Sequence, residues 1–228
     1  MREAYHKELE LIGQALVEMA NLVSSAMGRA TGALLDADIQ QAQSVTSTEE
    51  QVEALQRELE ERAIAVLARQ QPVATDLRMV VTSLRMSADL ERCGVLAQHV
   101  ATVAQRRHPQ HAVPNDLRRT LLEMGQLAQR LMAQAAEVLI TQDVEAALQM
   151  EQDDDRMDEL HRMIFHHLMD ERWHHGVETA VDITLVGRYY ERFADHAVSV
   201  ARRVVLLVTG EQAEELAATA PTPRGQTT

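Results

Sequence analysis

The sequence predicts an all-α fold in which two tandem three-helix bundle repeats pack together. Apolar residues recur every three or four positions through most of the chain, the period of an amphipathic helix. The composition agrees: 228 residues include 9 Gly and 5 Pro, and aromatics are 3%, so long helices would pack through Leu, Ala, Val and Met. The halves also share chemistry at fixed offsets. Glu49, Val52, Glu53, Leu55 and Leu59 correspond, 105 positions on, to Asp154, Met157, Asp158, Leu160 and Ile164; Glu91 and Arg92 correspond to Glu191 and Arg192 at an offset of 100. Each unit alone would expose an apolar seam, so the halves close on one another.

The first repeat is read over residues 1–107. Leu9, Ile12, Leu16, Met19 and Val23 mark a helix from about Glu3 to Leu35, with a turn and a cap supplied by Asp36 and Asp38. A second helix, near Ile39 to Arg69, carries Val52, Leu55, Leu59, Ala63 and Val66 on one side. It must end by Gln71, because Pro72 restricts its predecessor and donates no backbone hydrogen bond. The third helix runs from about Ala74 to Gln105, and Leu77, Val81, Leu84 and Ala88 lead into Glu91. RRHPQHAVPN then interrupts the pattern, and residues 108–115 form the connector. The second repeat, residues 116–210, holds helices over about Asp116 to Ile140, Val144 to Trp173 and Val177 to Thr209. Gln142 with Asp143, and His174 to Gly176, make its corners, and residues 211–228 read as a disordered tail.

Charge narrows the function classes. Lys+Arg 22 against Asp+Glu 35 gives a net charge of -13, and no basic stripe offers itself to nucleic acid or to an anionic membrane. Cys93, the single cysteine, excludes an intramolecular disulfide and a multi-thiolate site. The start MREAYHKELELIGQ is not an apolar signal segment, and the run from Val204 to Val208 is far short of the roughly 20 residues that span a bilayer. The expectation is a soluble cytoplasmic protein with no nucleic-acid partner and no membrane insertion.

The stretch YYERFADH, ending at His196, echoes ADLERCGV, which begins at Ala88. On a helix a four-residue step brings two side chains within about 40° of each other, so Glu49 with Glu53, Asp154 with Asp158, and Glu191 with Asp195 each share a face. All flank the apolar seams. If the fifth and sixth helices are neighbours, Asp154, Asp158, Glu191 and Asp195 converge in one groove, where like charges need a compensating cation. Carboxylates suit hard ions such as Mg, Mn or Fe. Arg92 and Arg192 offer the competing explanation, a salt-bridged seam without metal. In the first half Glu91 stands but Val95 takes the place of the second carboxylate, so that groove should hold an ion less well. His161 falls between the seam and the acids, as a core or hydrogen-bonding residue or as a ligand.

With RQQPVATDLR from Arg69, ADLER from Ala88 and YERFADH from Tyr190, on the doubled three-helix layout, the chain resembles the PhoU family of phosphate-uptake and phosphate-regulon regulators over nearly all of Met1 to Gly210, and looks like its PhoY-type actinobacterial members. The resemblance implies metal ions, Fe, Mn, Mg or Zn, on the acidic motifs: Glu49, Glu53 and Glu91 in the first repeat, and Asp154, Asp158, Glu191 and Asp195, more fully, in the second. It also implies a negative regulator of phosphate uptake and the starvation response. Such a protein is an adaptor between the ATPase subunit of a phosphate ABC transporter and a phosphate-sensing histidine kinase, peripheral to the inner membrane face through those partners.

Two alternatives stand beside this. One is a metal-binding helical scaffold without a signalling role. The other is a di-iron carboxylate oxidase, disfavoured because its Glu-x-x-His matches, EAYH at Glu3 and ERWH at Glu171, sit near helix ends. No Gly-rich phosphate cradle or basic anion pocket is present, which assigns phosphate sensing to the partner complex, while the family resemblance implies control rather than catalysis. Met79, Met150, Met157, Met163 and Met169 form a seam read as packing material, or as an adaptable docking surface if exposed. A homodimer through an exposed seam is an arrangement the pattern permits.

Overall fold

The structure, a computed structural model, describes residues 2–213 apart from 71 and 74. Its helices are α1 (Arg2–Asp36), α2 (Ile39–Gln70), α3 (Thr75–Arg107), α4 (Arg118–Thr141), α5 (Val144–Leu168) and α6 (Gly176–Thr209), with no strand among the described residues.

Local chemistry sets the breaks. Ala37 turns the chain with a positive φ of 53°, and the Asp38 carboxylate then accepts from the backbone N–H groups of Gln40 and Gln41 at 2.9 and 3.0 Å, capping α2. Asp143 does the same for α5, accepting from Glu145 and Ala146 at 2.9 and 3.1 Å. The connector closes over the end of α1: His108 bonds the Ala37 carbonyl and His111 the Leu35 carbonyl, each at 3.0 Å, with Arg118 adding a second donor to Leu35. These are carbonyls that a helix C-terminus leaves without partners. Ala112 and Val113 of the same segment are buried.

Most boundaries fall within one residue of the expectation, and α3 runs two residues further, to Arg107. Helix α4 begins at Arg118 rather than Asp116, and α5 ends at Leu168 rather than Trp173. The residues removed from α5 make a turn of their own. Asp170 accepts from the Arg172 N–H at 2.9 Å, and the Trp173 indole donates to the Gly176 carbonyl at 3.1 Å. Gly176 has a φ of 83°, which a side chain would oppose. The ERWH stretch therefore lies outside any helix. Of the expected tail, residues 214–228 are outside the described residues, and Ala213 is buried.

Each triad, α1–α2–α3 and α4–α5–α6, packs within itself, and the two join through α1 against α4 and α3 against α6. At the α1/α4 crossing Ser24 donates to the Gln129 carbonyl at 3.1 Å. Thr31 donates or accepts with the buried Tyr190 hydroxyl at 2.9 Å, tying α1 to α6. Along α3/α6 the helices run antiparallel, for Asp182 meets Arg106 and Arg107 at one end and Asp89 meets His196 and Arg203 nearer the other. Cys93 is fully buried at this crossing, its thiol 3.8 Å from the Phe193 carbonyl, and burial pushes that thiol well above its ordinary range, as expected of a small core residue.

The α1/α4 approach depends on Gly125, because a Cβ there would collide with the Thr31 side chain. Alanine is ordinarily the better helix residue by about 1 kcal/mol. Here Gly125→Ala is expected to destabilise by about 1–3 kcal/mol through overpacking of a short β-branched neighbour. Urea unfolding measures it; a gain in stability would show that the crossing relaxes freely.

Candidate functional site

Helices α5 and α6 are neighbours and run antiparallel. Arg202 bonds Glu151 at 2.6 Å near one end, and His161 faces Glu191 at 3.3 Å further along. A Cβ on Gly187 would lie 3.3 Å from both His161 and Ile164. This register brings Asp154, Asp158, Glu191 and Asp195 into mutual influence. Burial first, then the charges of Asp195, Asp158, Asp155 and Glu191, push the Asp154 carboxyl up to about 7. Burial and Glu191 likewise raise Asp195, against the opposing pull of Arg188.

The first repeat repeats the arrangement more weakly. Glu49 is raised by burial and then by Glu53, Glu91 and Glu50, so Glu49, Glu53 and Glu91 also share one groove. Val95 stands half-buried at the position answering Asp195. Glu53 is half-exposed and paired with Arg57 at 2.9 Å.

Positive charge reaches these grooves from positions other than the expected Arg92 and Arg192. Arg188 bonds Glu191 from one helical turn away, and Arg57 bonds Glu53 in the same local manner. A side chain three or four positions along its own helix lies closer than one fixed by a crossing. His161 adds its Nδ1 to Glu191, while its Nε2 is buried and has no hydrogen-bond partner. The fit to a metal follows from these contacts. All four second-repeat donors are hard oxygens whose mutual repulsion Arg188 relieves only in part, which is the chemistry a divalent or trivalent cation answers. Among the described residues, however, no three or more His, Cys, Asp or Glu side chains are drawn together as a metal-holding group. Glu191 is turned to Arg188 and His161, and would have to leave them to close on an ion.

Several polar networks escaped sequence reasoning. Asp89 accepts from His196 at 3.0 Å, Ser199 at 3.1 Å and Arg203 at 2.8 Å across α3/α6; burial would raise its carboxyl, but these partners outweigh it and lower it. Asp116 accepts from His167 and His175 at 3.0 and 3.1 Å, clasping the α5–α6 corner. Burial opposes ionisation there too, yet the two imidazoles bring Asp116 down to about 2. Asp182, near the start of α6, is buried and held by Arg107 at 2.5 Å and Arg106 at 3.3 Å. For Asp89 and Asp182 the local hint was a polar residue at or beside a core phase; Asp116, exposed in the turn before α4, gave none. The methionines divide: Met150 and Met157 are core, Met163 and Met169 are exposed.

The raised Asp154 carboxyl has a stability consequence. The unfolded chain releases this proton near 3.8 and the folded chain only near 7, so the folded state binds more protons in between. Stability from this group therefore falls as pH rises from about 4 to about 7. In chelator, Asp154→Asn should raise the thermal midpoint at about pH 8 and change it little near pH 4. Equal effects at both would show that the charge is already relieved.

The two triads also correspond to what is already known among proteins. Residues 16–104 and 121–204 each match the PhoU domain. The chain is 50% identical over 210 residues, 92% of its length and 99% of the relative's, to the phosphate-specific transport system accessory protein PhoU homolog 2 of Mycobacterium tuberculosis. It is 48% identical over 215 residues to the corresponding PhoU homolog 1 of Mycobacterium leprae, covering 94% and 97% of the two chains. The crystal structure of PhoU from Pseudomonas aeruginosa superimposes with a TM-score of 0.79 at 28% identity, over 91% of this chain and 100% of that one. With both halves matched and the whole architecture shared, the chain belongs to the PhoU family.

Proposed function

We propose that the protein is a negative regulator of phosphate uptake and of the phosphate-starvation response, working as a non-enzymatic cytoplasmic adaptor. Its partners in this reading are the ATPase subunit of a phosphate ABC transporter and a sensor histidine kinase. The observation that supports it most is the near end-to-end identity with proteins named as accessories of phosphate-specific transport. No described helix is long and apolar enough to cross a membrane, which is consistent with reaching a transporter through protein contact. Deletion should release a starvation reporter in phosphate-replete cells, and the tagged chain should co-purify with transporter and kinase subunits. An unchanged reporter would reduce the role to that of a passive scaffold.

The reading includes metal. Asp154, Asp158, Glu191 and Asp195 would hold one or more Fe, Mn, Mg or Zn ions, with Asp154 and Asp158 coming from α5 and the others from α6. Glu49, Glu53 and Glu91 form the poorer set. A bound ion would supply positive charge to the groove, and the raised proton affinities of Asp154 and Asp195 support that role. Replacing Glu191 and Asp195 by Ala should lower metal content, measured by elemental analysis of protein purified without chelator, while helicity by circular dichroism is kept. Unchanged metal stoichiometry would remove these residues from the ligand set.

A further inference from the structure

Both repeats expose apolar residues at one helical phase. Leu77 and Val81 on α3 are 42% and 37% exposed, and their counterparts 100 positions on, Val177 and Val181 of α6, are 81% and 51% exposed. Residues 81–90 and 181–190 follow the same order of buried and exposed positions. The duplication carries this phase into both halves.

On the second repeat the strip continues the acidic groove. Asp154, Asp158, His161 and Phe165 lie within about 60° of one another on α5, and exposed Met169 follows one step beyond. Across from them on α6 the same side carries Asp195 and Glu191, then Arg188 paired with Glu191, then Val181 and Val177. His161 marks the boundary, 3.3 Å from Glu191 and with its ring 4.9 Å from that of Phe165. From Val177 to Asp195 the groove extends about 27 Å, acidic at one end and apolar at the other.

We propose that this α5/α6 groove docks an amphipathic helix of a partner protein, with its apolar residues on Phe165, Met169, Val177 and Val181 and its Lys or Arg residues on the acidic end. Charge complementarity selects that occupant. A second copy would bring another net charge of -13, and an anionic lipid surface is repelled in the same way. The first-repeat groove is the poorer dock, since Glu60 stands where Phe165 does and Val95 where Asp195 does. The surface deepens the adaptor reading and rests on it only for the partner's identity in the cell. A metal ion on the same carboxylates competes with the helix's cations.

Two labelled helical peptides of roughly 18 residues, matched to the groove's length, test it. They share Leu residues in one half and carry either Lys or Glu in the other. Titrated by fluorescence anisotropy against the full chain in chelator at about 50 mM salt, the Lys peptide should bind about tenfold or more tightly than the Glu peptide. Val181→Asp and Phe165→Ser should each weaken it about tenfold, while Val81→Asp, adding the same charge to the first repeat, keeps affinity within about twofold. Circular dichroism checks that the variants are folded. Failure of the Lys peptide to bind, or equal losses from Val81→Asp and Val181→Asp, overturns the groove. So does a sedimentation change from dimer to monomer in Val181→Asp, which assigns the face to a second copy. These measurements use purified protein and the adaptor role is read on a starvation reporter, so either can fail without the other.

Discussion

Two amphipathic helical triads, neither able to cover its own seam, are stable only when closed on one another, and that closure governs everything else in the molecule. The α1/α4 and α3/α6 crossings carry it. At the first, Gly125 leaves room for Thr31, which in turn meets the Tyr190 hydroxyl. At the second, Cys93 and Phe193 lie against one another in the core, while Asp89 of α3 binds Arg203 of α6 and Asp182 of α6 binds Arg107 of α3. The apolar contact supplies most of the driving force. Half-buried Asp89 and buried Asp182, each satisfied by more than one donor, hold the antiparallel register because a slip would leave a charge without partners.

Packing within each triad decides where the acids go. Flanking positions on α5 and α6 share a groove in which partial burial and neighbouring carboxylates make Asp154 and Asp195 hold their protons more tightly than free carboxyls do. Arg188 offsets Glu191 in part. The first repeat lacks the fourth carboxylate, and only Glu49 is raised. The same duplication thus yields two grooves of different electrostatic demand. That asymmetry is what a single chain needs if one side answers a cation, an ion or a partner's side chain, more strongly than the other.

The candidate site was legible in part. A four-residue spacing says that two carboxylates share a face, and the phase against Met157 or Tyr190 says that the face borders the core. Such reasoning located the acids and the weak point at Val95. It misassigned their basic neighbours, choosing Arg92 and Arg192 from the repeat, where the contacts come from Arg57 and Arg188. It also passed over Asp116, whose partners His167 and His175 are brought to it only by the turn that ends α5 early.

By itself the sequence determined the all-α class, the doubling, the six helices to within a few residues at most ends, and the acidic faces. All of these are written in near-neighbour periodicity, in caps such as Asp38 and Asp143, and in breakers such as Pro72 and Gly176. Only the tertiary structure decided that Asp89 meets His196 and Arg203, that Asp182 is buried, and that an apolar strip on α6 continues an acidic groove. The reason is physical. A helix fixes the angles among its own side chains, but which faces meet depends on how two helices cross and at what register, and that is settled by packing of the whole chain at once.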